Sequence, residues 1–435
     1  MTENQSSEAV STKLQRIAEV ARKMPEKALT SLSHHIDVEW LRVAFRRTRR
    51  DGAVGVDGQT WNDYSQDLEL NLQGLLSRFK SGSYRAPPVR RAYIPKADGD
   101  RRPIGIPTLE DKVLQRAVAM ALSAVYEQDF LPSSYGFRPA RGAHDALQAL
   151  RGHVMDMWRG WLIEVDIRRF FDTLDHRHLR EILERRVRDG VILRQIGKWL
   201  NAGVLESGSV SFAEMGTPQG GVISPLLANI YLHTVLDRWL VDEVRPKCHG
   251  NVELVRYADD FVIVCRAEHD ARAIFEALPK RFEAYGLQLH PEKTRLICFD
   301  QPRGGKKQEA MSFDFLGFNH TWMKSQKNTW VLFQVTAKKR LTRSLDAIRE
   351  WLRKHRHDPI EAQHRGLSSK LKGHYAYFGL PGNALGLQRM RSEVRREWRK
   401  ALSRRSWHGK VFWTRYREIE QRFRLPYGHV RQPTR

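Results

Sequence analysis

The spacing of apolar residues predicts helices near both ends of the chain. Near the start, Val38, Leu41 and Phe45 recur with helical spacing after Asp37, a residue type that commonly caps a helix. The first ten residues are polar and predict a loose tail. From residue 336 onward a second helical pattern is predicted. Its apolar stripe consists of Leu341, Leu345, Ile348 and Leu352, and the basic residues Lys338, Lys339 and Arg343 lie outside the stripe.

Between these helices, short apolar runs bounded by turn residues predict β-strands. The runs are residues 91–94, 104–106, 161–167, 254–257 and 261–265. A glycine-containing turn joins the first two runs and a tight turn joins the last two, so each pair predicts a hairpin. The expected fold class is therefore α+β in the middle and α-helical at both ends.

Composition narrows the class of protein. The chain has 435 residues, 41% of them hydrophobic, which is enough for two or three folded domains. No apolar run approaches the roughly 20 residues that cross a bilayer, and the N-terminus lacks the features of a signal peptide. Three cysteines, Cys248, Cys265 and Cys298, form neither a disulfide framework nor a paired zinc signature. We expect a soluble, cytoplasmic protein with no membrane partner.

The positive charge is concentrated at the C-terminal end. The whole chain carries +24, whereas residues 321–435 alone hold 28 Lys and Arg and 8 Asp and Glu, a net charge of +20. Such an excess repels itself unless an anion binds, and interleaved aromatic side chains can stack on bases. Six tryptophans lie in this segment, and most of them are expected in a small core. The segment is predicted to grip nucleic acid.

Three acidic residues lie at the ends of the predicted central strands. Asp166 ends one apolar run, and Asp259 and Asp260 lie in the turn of the second hairpin. Carboxylates beside buried strands are unfavourable unless cations or metals pair with them, and grouped oxygen ligands suit Mg²⁺. Two such ions can stabilise the attacking and leaving oxygens of a phosphoryl displacement. Taken alone, a solvated Asp-Asp turn is the simpler interpretation.

The surrounding motifs favour the metal site. They resemble, in order, the reverse transcriptases and maturases encoded by group II introns. The matching segments are residues 52–58, 94–107, 134–139 with His144, 166–172 with His176, 216–230, 257–260, 286–294 and 315–317. This resemblance implies a right-hand polymerase fold, with fingers and an N-terminal extension in residues 1–160, a palm with an antiparallel sheet and helices in 161–325, and a basic α-helical thumb in 326–435.

The resemblance also assigns roles to individual residues. It implies metal binding by Asp166 and Asp259 and the main-chain carbonyl of Ile167, with support from Asp260. Two Mg²⁺ ions, for which Mn²⁺ can substitute, would serve transfer from a dNTP to a primer 3′-hydroxyl. The implied nucleotide-binding residues are Lys96, Arg102, Ile167, Phe171, Gln219, Gly220 and Lys293, and the implied primer grip is Phe315, Leu316 and Gly317.

Among these, Phe171 would close the sugar pocket and exclude a 2′-hydroxyl, while its neighbour Phe170 is expected in the core. The glycine-rich segment before Ser224 and Pro225 would let the backbone approach a ligand, with Ser224 as the cap of the next helix. Lys96 and Arg102, taken by spacing alone, could equally be two surface cations.

The C-terminal segment resembles the region that grips intron RNA, although His374 stands where the family usually has tryptophan. No cysteine-histidine endonuclease module follows, so target DNA cleavage is not expected. The expected partners are template and intron RNA, a DNA primer or cDNA, and dNTPs. Two alternatives stay open: an RNA-binding maturase with little polymerase activity, and a domesticated relative that acts in phage defence, repair or a CRISPR system. The oligomeric state is not predicted.

Overall fold

The computed structural model describes residues 3–95, 101–206, 209–211, 220–302, 311–405 and 409–430. Helix accounts for 54% of the structure and strand for 15%, in agreement with the predicted α+β class. The chain forms two compact units. The first contains Met1–Ala146 and Ile163–Leu296, and the second contains Leu147–Leu162 and Ile297–Arg435.

Eleven of the helices of the described chain precede residue 290. They are α1 (Glu3–Lys23), α2 (Val38–Arg46), α3 (Trp61–Gln66), α4 (Leu68–Ser81), α5 (Leu109–Tyr126), α6 (Ala143–Met157), α7 (Phe170–Thr173), α8 (His176–Glu184), α9 (Gly190–Leu200), α10 (Ser224–Leu232) and α11 (Glu268–Glu283). The later helices are α12 (Lys338–Lys354), α13 (Ile360–Phe378), α14 (Ala384–Ser403) and α15 (Trp413–Arg422). None of the described helices is both long and apolar enough to cross a membrane.

The strands of the described residues fall into three sheets. They are β1 (Val89–Pro95), β2 (Arg101–Ile106), β3 (Trp161–Val165), β4 (Val204–Glu206), β5 (Ser209–Ser211), β6 (Val252–Tyr257), β7 (Asp260–Cys265), β8 (Arg295–Cys298), β9 (Ser312–Phe315), β10 (Phe318–Lys324) and β11 (Trp330–Thr336). Their orders are β2-β1-β4-β5, β6-β7-β3-β8 and β11-β10-β9. Both predicted hairpins are confirmed: β1 pairs antiparallel with β2, and β6 pairs antiparallel with β7.

The first unit begins with a helix where the sequence predicted a loose tail. Helix α1 starts at Glu3, and its residues Val10, Ile17 and Ala21 are at most 2% exposed. These residues repeat every seven and four positions and form an apolar face that contacts α5. The prediction failed because it weighed the polar residues before Val10 more than this face. Asp37 caps α2 as predicted, accepting a hydrogen bond from the backbone nitrogen of Trp40.

The second unit contains the predicted C-terminal helices. The four leucine and isoleucine residues of the α12 stripe are buried, and Lys338, Lys339 and Arg343 are exposed, as predicted. The tryptophans follow the core prediction only in part. Trp322 and Trp398 are buried, whereas Trp413 is 40% exposed with the Arg399 guanidinium 4.7 Å from its ring centre. The guanidinium contacts the face of the ring, and this cation–π interaction stabilises Trp413 at the protein surface.

Candidate active site

The predicted catalytic turn joins β6 to β7. Tyr257 pairs with Asp260 across the hairpin, so Ala258 and Asp259 form a two-residue turn. Ala258 has φ 58°, a left-handed conformation that side chains other than glycine rarely adopt. Asp259 is partly buried in this turn, whereas Asp260 begins β7 with an exposed side chain. The two adjacent carboxylates therefore have different surroundings.

Asp166 lies directly after β3, which is the neighbour of β7 in the sheet. Residues 289–290 form backbone hydrogen bonds and a β-bridge with residues 166–167. Ile167 pairs with Leu289, and the backbone nitrogen of His290 donates a 2.7 Å hydrogen bond to the carbonyl of Asp166. Two segments more than 120 residues apart thus fix the backbone at the first catalytic aspartate.

The charge of Asp166 acts on the carboxylate of Asp259. The pKa of Asp259 is raised, first because burial removes water from its carboxylate and also because the charge of Asp166 repels it. The charges of Arg102 and Arg256 act in the opposite direction. A carboxylate whose ionisation is disfavoured by burial and by a neighbouring negative charge is stabilised by a bound cation. The positive charge of Arg102, on strand β2, is thus close enough to stabilise the ionised carboxylate of Asp259.

Lys293 contacts the catalytic carboxylate directly. Its Nζ lies 3.0 Å from Oδ2 of Asp166, and its side chain is 60% exposed. A turn positions it, because the carbonyl of His290 accepts hydrogen bonds from the backbone nitrogens of Lys293 and Thr294. An ion pair this exposed contributes little stability and exchanges partners readily. The structure thus brings this predicted residue to the site, although sequence spacing alone gave no such contact.

The fingers hairpin carries the other predicted cation. Arg102 is exposed and lies opposite Ile94 in the β1–β2 pair. Lys96 and Gln219 lie outside the described residues. Gly220 is described, with φ 120°, and a Cβ on it would lie 2.5 Å from Cγ2 of Ile104. The close approach that glycine permits at this position is therefore to β2.

Helix α10 begins one position away from the prediction. Ser224 is its first helical residue and Pro225 follows, so Ile223 occupies the cap position without a side-chain hydrogen bond. Proline in the first turn explains the start, because its missing N–H would have no helical partner there. The predicted helix is confirmed, and the role of Ser224 as its cap is wrong.

Phe170 lies in the core as predicted, and its neighbour Phe171 is more exposed. Phe170 is 2% exposed and packs edge-on against Phe171, with 5.3 Å between ring centres. Phe171 is only partly buried and lies five residues after Asp166 on the short helix α7. Part of its side chain is thus accessible to solvent, which its predicted role in the sugar pocket requires.

The predicted primer-grip residues form a hairpin turn in the second unit. Phe315 pairs with Phe318, so Leu316 and Gly317 make a two-residue turn, with φ 49° and 80°. Two left-handed residues in succession match the twist of the flanking strands. The Tyr377 hydroxyl donates a 2.8 Å hydrogen bond to the carbonyl of Leu316, which anchors the turn to α13.

His374 fills the place of the family tryptophan as a buried aromatic ring. Burial lowers its pKa to about 4, so the ring is neutral at pH 7. It lies 4.5 Å from Phe378, measured between ring centres. A neutral imidazole packs like a small aromatic side chain, which explains how the helix tolerates this departure.

Sequence reasoning missed a glycine behind the catalytic turn. Residues 133–135 pair with β6: the nitrogen of Tyr135 donates to the carbonyl of Arg256, and the nitrogen of Arg256 donates to the carbonyl of Ser133. A Cβ on the following Gly136 would lie 2.5 Å from the nitrogen of Ala258. Only glycine fits there, although the sequence shows merely a glycine between two aromatic residues.

The candidate site thus combines two carboxylates, nearby cations and a fixed turn. Within the described ranges, no group of three His, Cys, Asp or Glu side chains is assembled as a metal site. The carboxylates of Asp166 and Asp259 nevertheless match hard divalent cations in ligand type and in charge. Two carboxylates at the ends of adjacent strands, with basic residues near them, suit a class of enzyme that acts on phosphate groups.

Comparison with known proteins identifies the kind of enzyme. Residues 94–320 match the model of the reverse transcriptase (RNA-dependent DNA polymerase) family. Protein YkfC of Escherichia coli is 35% identical over 327 residues, which cover 64% of this chain and 84% of YkfC. The group II intron-encoded protein LtrA of Lactococcus lactis is 34% identical over 232 residues, and an uncharacterized 91 kDa protein in the cob intron of Schizosaccharomyces pombe is 38% identical over 181.

The chain belongs to the reverse transcriptase family, and it is similar to proteins encoded by group II introns. This confirms the predicted right-hand polymerase fold and the predicted enzyme class, an RNA-directed DNA polymerase. Such enzymes depend on metal ions and act on nucleic acid. The alignment spans only 38% of LtrA and 22% of the cob intron protein.

Proposed function

We propose that this chain extends a DNA primer with deoxynucleotides on an RNA template, and that it also binds and assists the RNA of a group II intron in the cytoplasm. The observation that carries the first part is the pairing of Asp166 and Asp259. Asp166 follows the strand beside β7, its charge acts on the carboxylate of Asp259, and the charge of Arg102 from the fingers hairpin acts on Asp259 in the opposite direction. We assign the N-terminal extension and fingers to residues 1–160, the palm to 161–325 and the basic helical thumb to 326–435.

The site suits two Mg²⁺ ions, with Mn²⁺ able to substitute. Asp166, Asp259 and the main-chain carbonyl of Ile167 would hold them, with support from Asp260. Bound there, the ions would neutralise charge on the attacking and leaving oxygens. Binding would also offset the burial and the repulsion by Asp166, which together raise the pKa of Asp259.

The protein's own residues align the reactants. Arg102 and Lys96 would bind the triphosphate, and Gln219 and Gly220 would lie beside the nucleotide and its template base. Lys293 would leave Asp166 to bind a phosphate oxygen, an exchange that its exposed ion pair allows at small cost. The primer 3′-hydroxyl then forms a bond to the α-phosphorus, the bond to pyrophosphate breaks, and the hydroxyl proton is released.

We expect Phe171→Ala to admit ribonucleotides. Removing this partly buried ring, which follows Asp166 by five residues, would open space for a 2′-hydroxyl, and the preference for dNTPs over NTPs should fall by about 10- to 100-fold. Primer extension on an RNA template with each nucleotide set measures the ratio of kcat/KM values. Phe171→Tyr keeps a ring and serves as the control. Unchanged discrimination in the alanine variant would contradict this role.

RNA binding by the second unit should depend steeply on salt. Each phosphate neutralised on a single strand adds about −0.7 to the slope of log Kobs against log salt. Replacing the exposed residues Lys338, Lys339 and Arg343 with glutamine should make the slope shallower by about 2. The same replacement of Arg22, Lys23 and Lys27, which are exposed in the first unit, is the control. Equal slopes for both variants would contradict RNA binding along α12.

A further inference from the structure

A fully buried arginine lies three residues before Asp259. The side chains of Arg256, on β6, and Asp237 are both 0% exposed. Nε of Arg256 lies 2.8 Å from Oδ1 of Asp237, and a terminal nitrogen lies 2.5 Å from Oδ2. Burial alone would raise the pKa of Asp237, but Arg256 and His233 keep it below its ordinary value. The pair is therefore ionised inside the first unit.

The remaining nitrogen of Arg256 connects this pair to the catalytic turn. NH1 donates to the carbonyl of Ala258 at 3.1 Å and to Oδ1 of Asn229 at 2.9 Å. Asn229 in turn donates from Nδ2 to the carbonyl of Gly136 at 2.7 Å. One guanidinium thus joins the helix segment 229–237, the turn that carries Asp259, and the glycine packed behind that turn.

A local change of helix type brings the two acceptors together. Asn229 lies in α10, and the helix continues through His233–Arg238 with the wider π-helical hydrogen bonding. In a regular α-helix, residues eight apart such as Asn229 and Asp237 would face directions about 80° apart. A wider turn rotates each residue by less, so Asp237 returns to the face of Asn229. Such insertions are often found at functional sites.

We infer that Arg256 is a positioning residue of the polymerase reaction, because Asp237 and Asn229 aim its guanidinium at the carbonyl of Ala258 and thereby fix the carboxylate of Asp259. This inference rests on the proposed polymerase site. A purely structural ion pair would be satisfied by Asp237 alone. Here the hydrogen bond to the turn is charge-assisted, excluded from water and made to a residue in a left-handed conformation.

The test replaces the pair with apolar side chains of similar size. Arg256→Met combined with Asp237→Leu leaves no unpaired buried charge, and such replacements often preserve stability. Arg186 and Asp129 provide a matched control, because they form a largely buried ion pair in the same unit, joined at 2.6 Å, with no contact to the turn among the hydrogen bonds described. The control variant carries Arg186→Met and Asp129→Leu.

Primer extension should separate the two variants. We expect the Arg256 and Asp237 variant to fold, to lose about 10- to 100-fold in kcat and to need more Mg²⁺ for half-maximal rate, with little change in the KM for dNTP. The control variant should keep the wild-type kcat and Mg²⁺ dependence. Wild-type values in both variants would overturn the inference, and so would equal losses in both.

Two further measurements keep the test decisive. If the double variant does not fold, Asn229→Ala leaves the ion pair in place and should still lower kcat, and unchanged kcat there would overturn the inference. Hydrogen exchange of the amides of residues 258–261 tests the positioning without activity: it should speed up in the Arg256 and Asp237 variant and not in the control. A wild-type protein that extends no primer would contradict the proposed function, whereas slow exchange in the variant would contradict only the positioning role.

Discussion

Replacing Asp259 with asparagine is expected to abolish primer extension and leave the protein at least as stable as before. The amide keeps the shape of the side chain but removes one of the two charges that would bind the metal ions, so kcat should fall by about 10³-fold or more. RNA binding should stay nearly unchanged, because the charge excess of +20 lies in residues 321–435. Primer extension and filter binding, measured on the same preparation, distinguish the two effects.

The stability effect follows from the sign of the pKa shift. The pKa of Asp259 is raised in the folded state, so between its ordinary pKa and its folded pKa the folded protein binds more protons than the unfolded chain. Stability then falls as pH rises through that window, and the deficit persists at pH 7 without metal. The asparagine variant lacks this deficit. Its melting temperature in metal-free buffer should equal or exceed that of wild type at pH 7, and the difference should vanish below the ordinary pKa.

Asp242 supplies the control for this prediction. It forms an exposed pair with Arg238 in the same unit, so Asp242→Asn should change neither kcat nor melting temperature appreciably. An Asp259→Asn protein that still extends primers would show that the metal site has been assigned to the wrong residue.

Replacing Gly136 with alanine should impair catalysis without touching any charged residue. The new Cβ would lie 2.5 Å from the nitrogen of Ala258 and 2.9 Å from the carbonyl carbon of Tyr257. Both are backbone atoms of the catalytic hairpin, so the clash can be relieved only if the turn moves. A misplacement of this kind near a reacting centre should lower kcat by about 10²-fold.

Gly197 offers a matched control for Gly136→Ala. It lies within α9, and a Cβ there would meet no heavy atom of the described chain within 4 Å. Alanine favours helix, so Gly197→Ala should raise the free energy of unfolding by about 0.5–1 kcal/mol and leave kcat unchanged. If Gly136→Ala also kept its full kcat, the contact between residue 136 and the turn would not matter for catalysis.

The local parts of the fold could be predicted from the sequence. The hairpin around Asp259 and the α12 stripe depend on neighbouring residues, whose alternation or helical spacing is visible along the chain. The tail prediction for residues 1–10 failed because the face of α1 becomes apparent only with the later residues Ile17 and Ala21. Predictions of helices and hairpins are thus confirmed where neighbouring residues alone show the apolar spacing.

The support of the site could not be predicted, because it depends on contacts between distant residues. An arginine inside the apolar run of β6 signals a buried partner, since a buried charge is unfavourable alone. Nothing in the sequence identifies that partner as Asp237, which reaches it through a widened helix. The contact between Lys293 and Asp166 likewise needs the pairing of Ile167 with Leu289.

RNA-directed DNA synthesis at the site of Asp259 is tested most directly by primer extension on an RNA template of known sequence with Mg²⁺ and dNTPs. Wild type is compared with Asp259→Asn and Asp242→Asn. We expect wild type and Asp242→Asn to add deoxynucleotides in the order that the template specifies, and Asp259→Asn to add none. Template-directed synthesis that survives in Asp259→Asn, or its absence from a wild-type protein that still binds structured RNA tightly, would contradict the central claim.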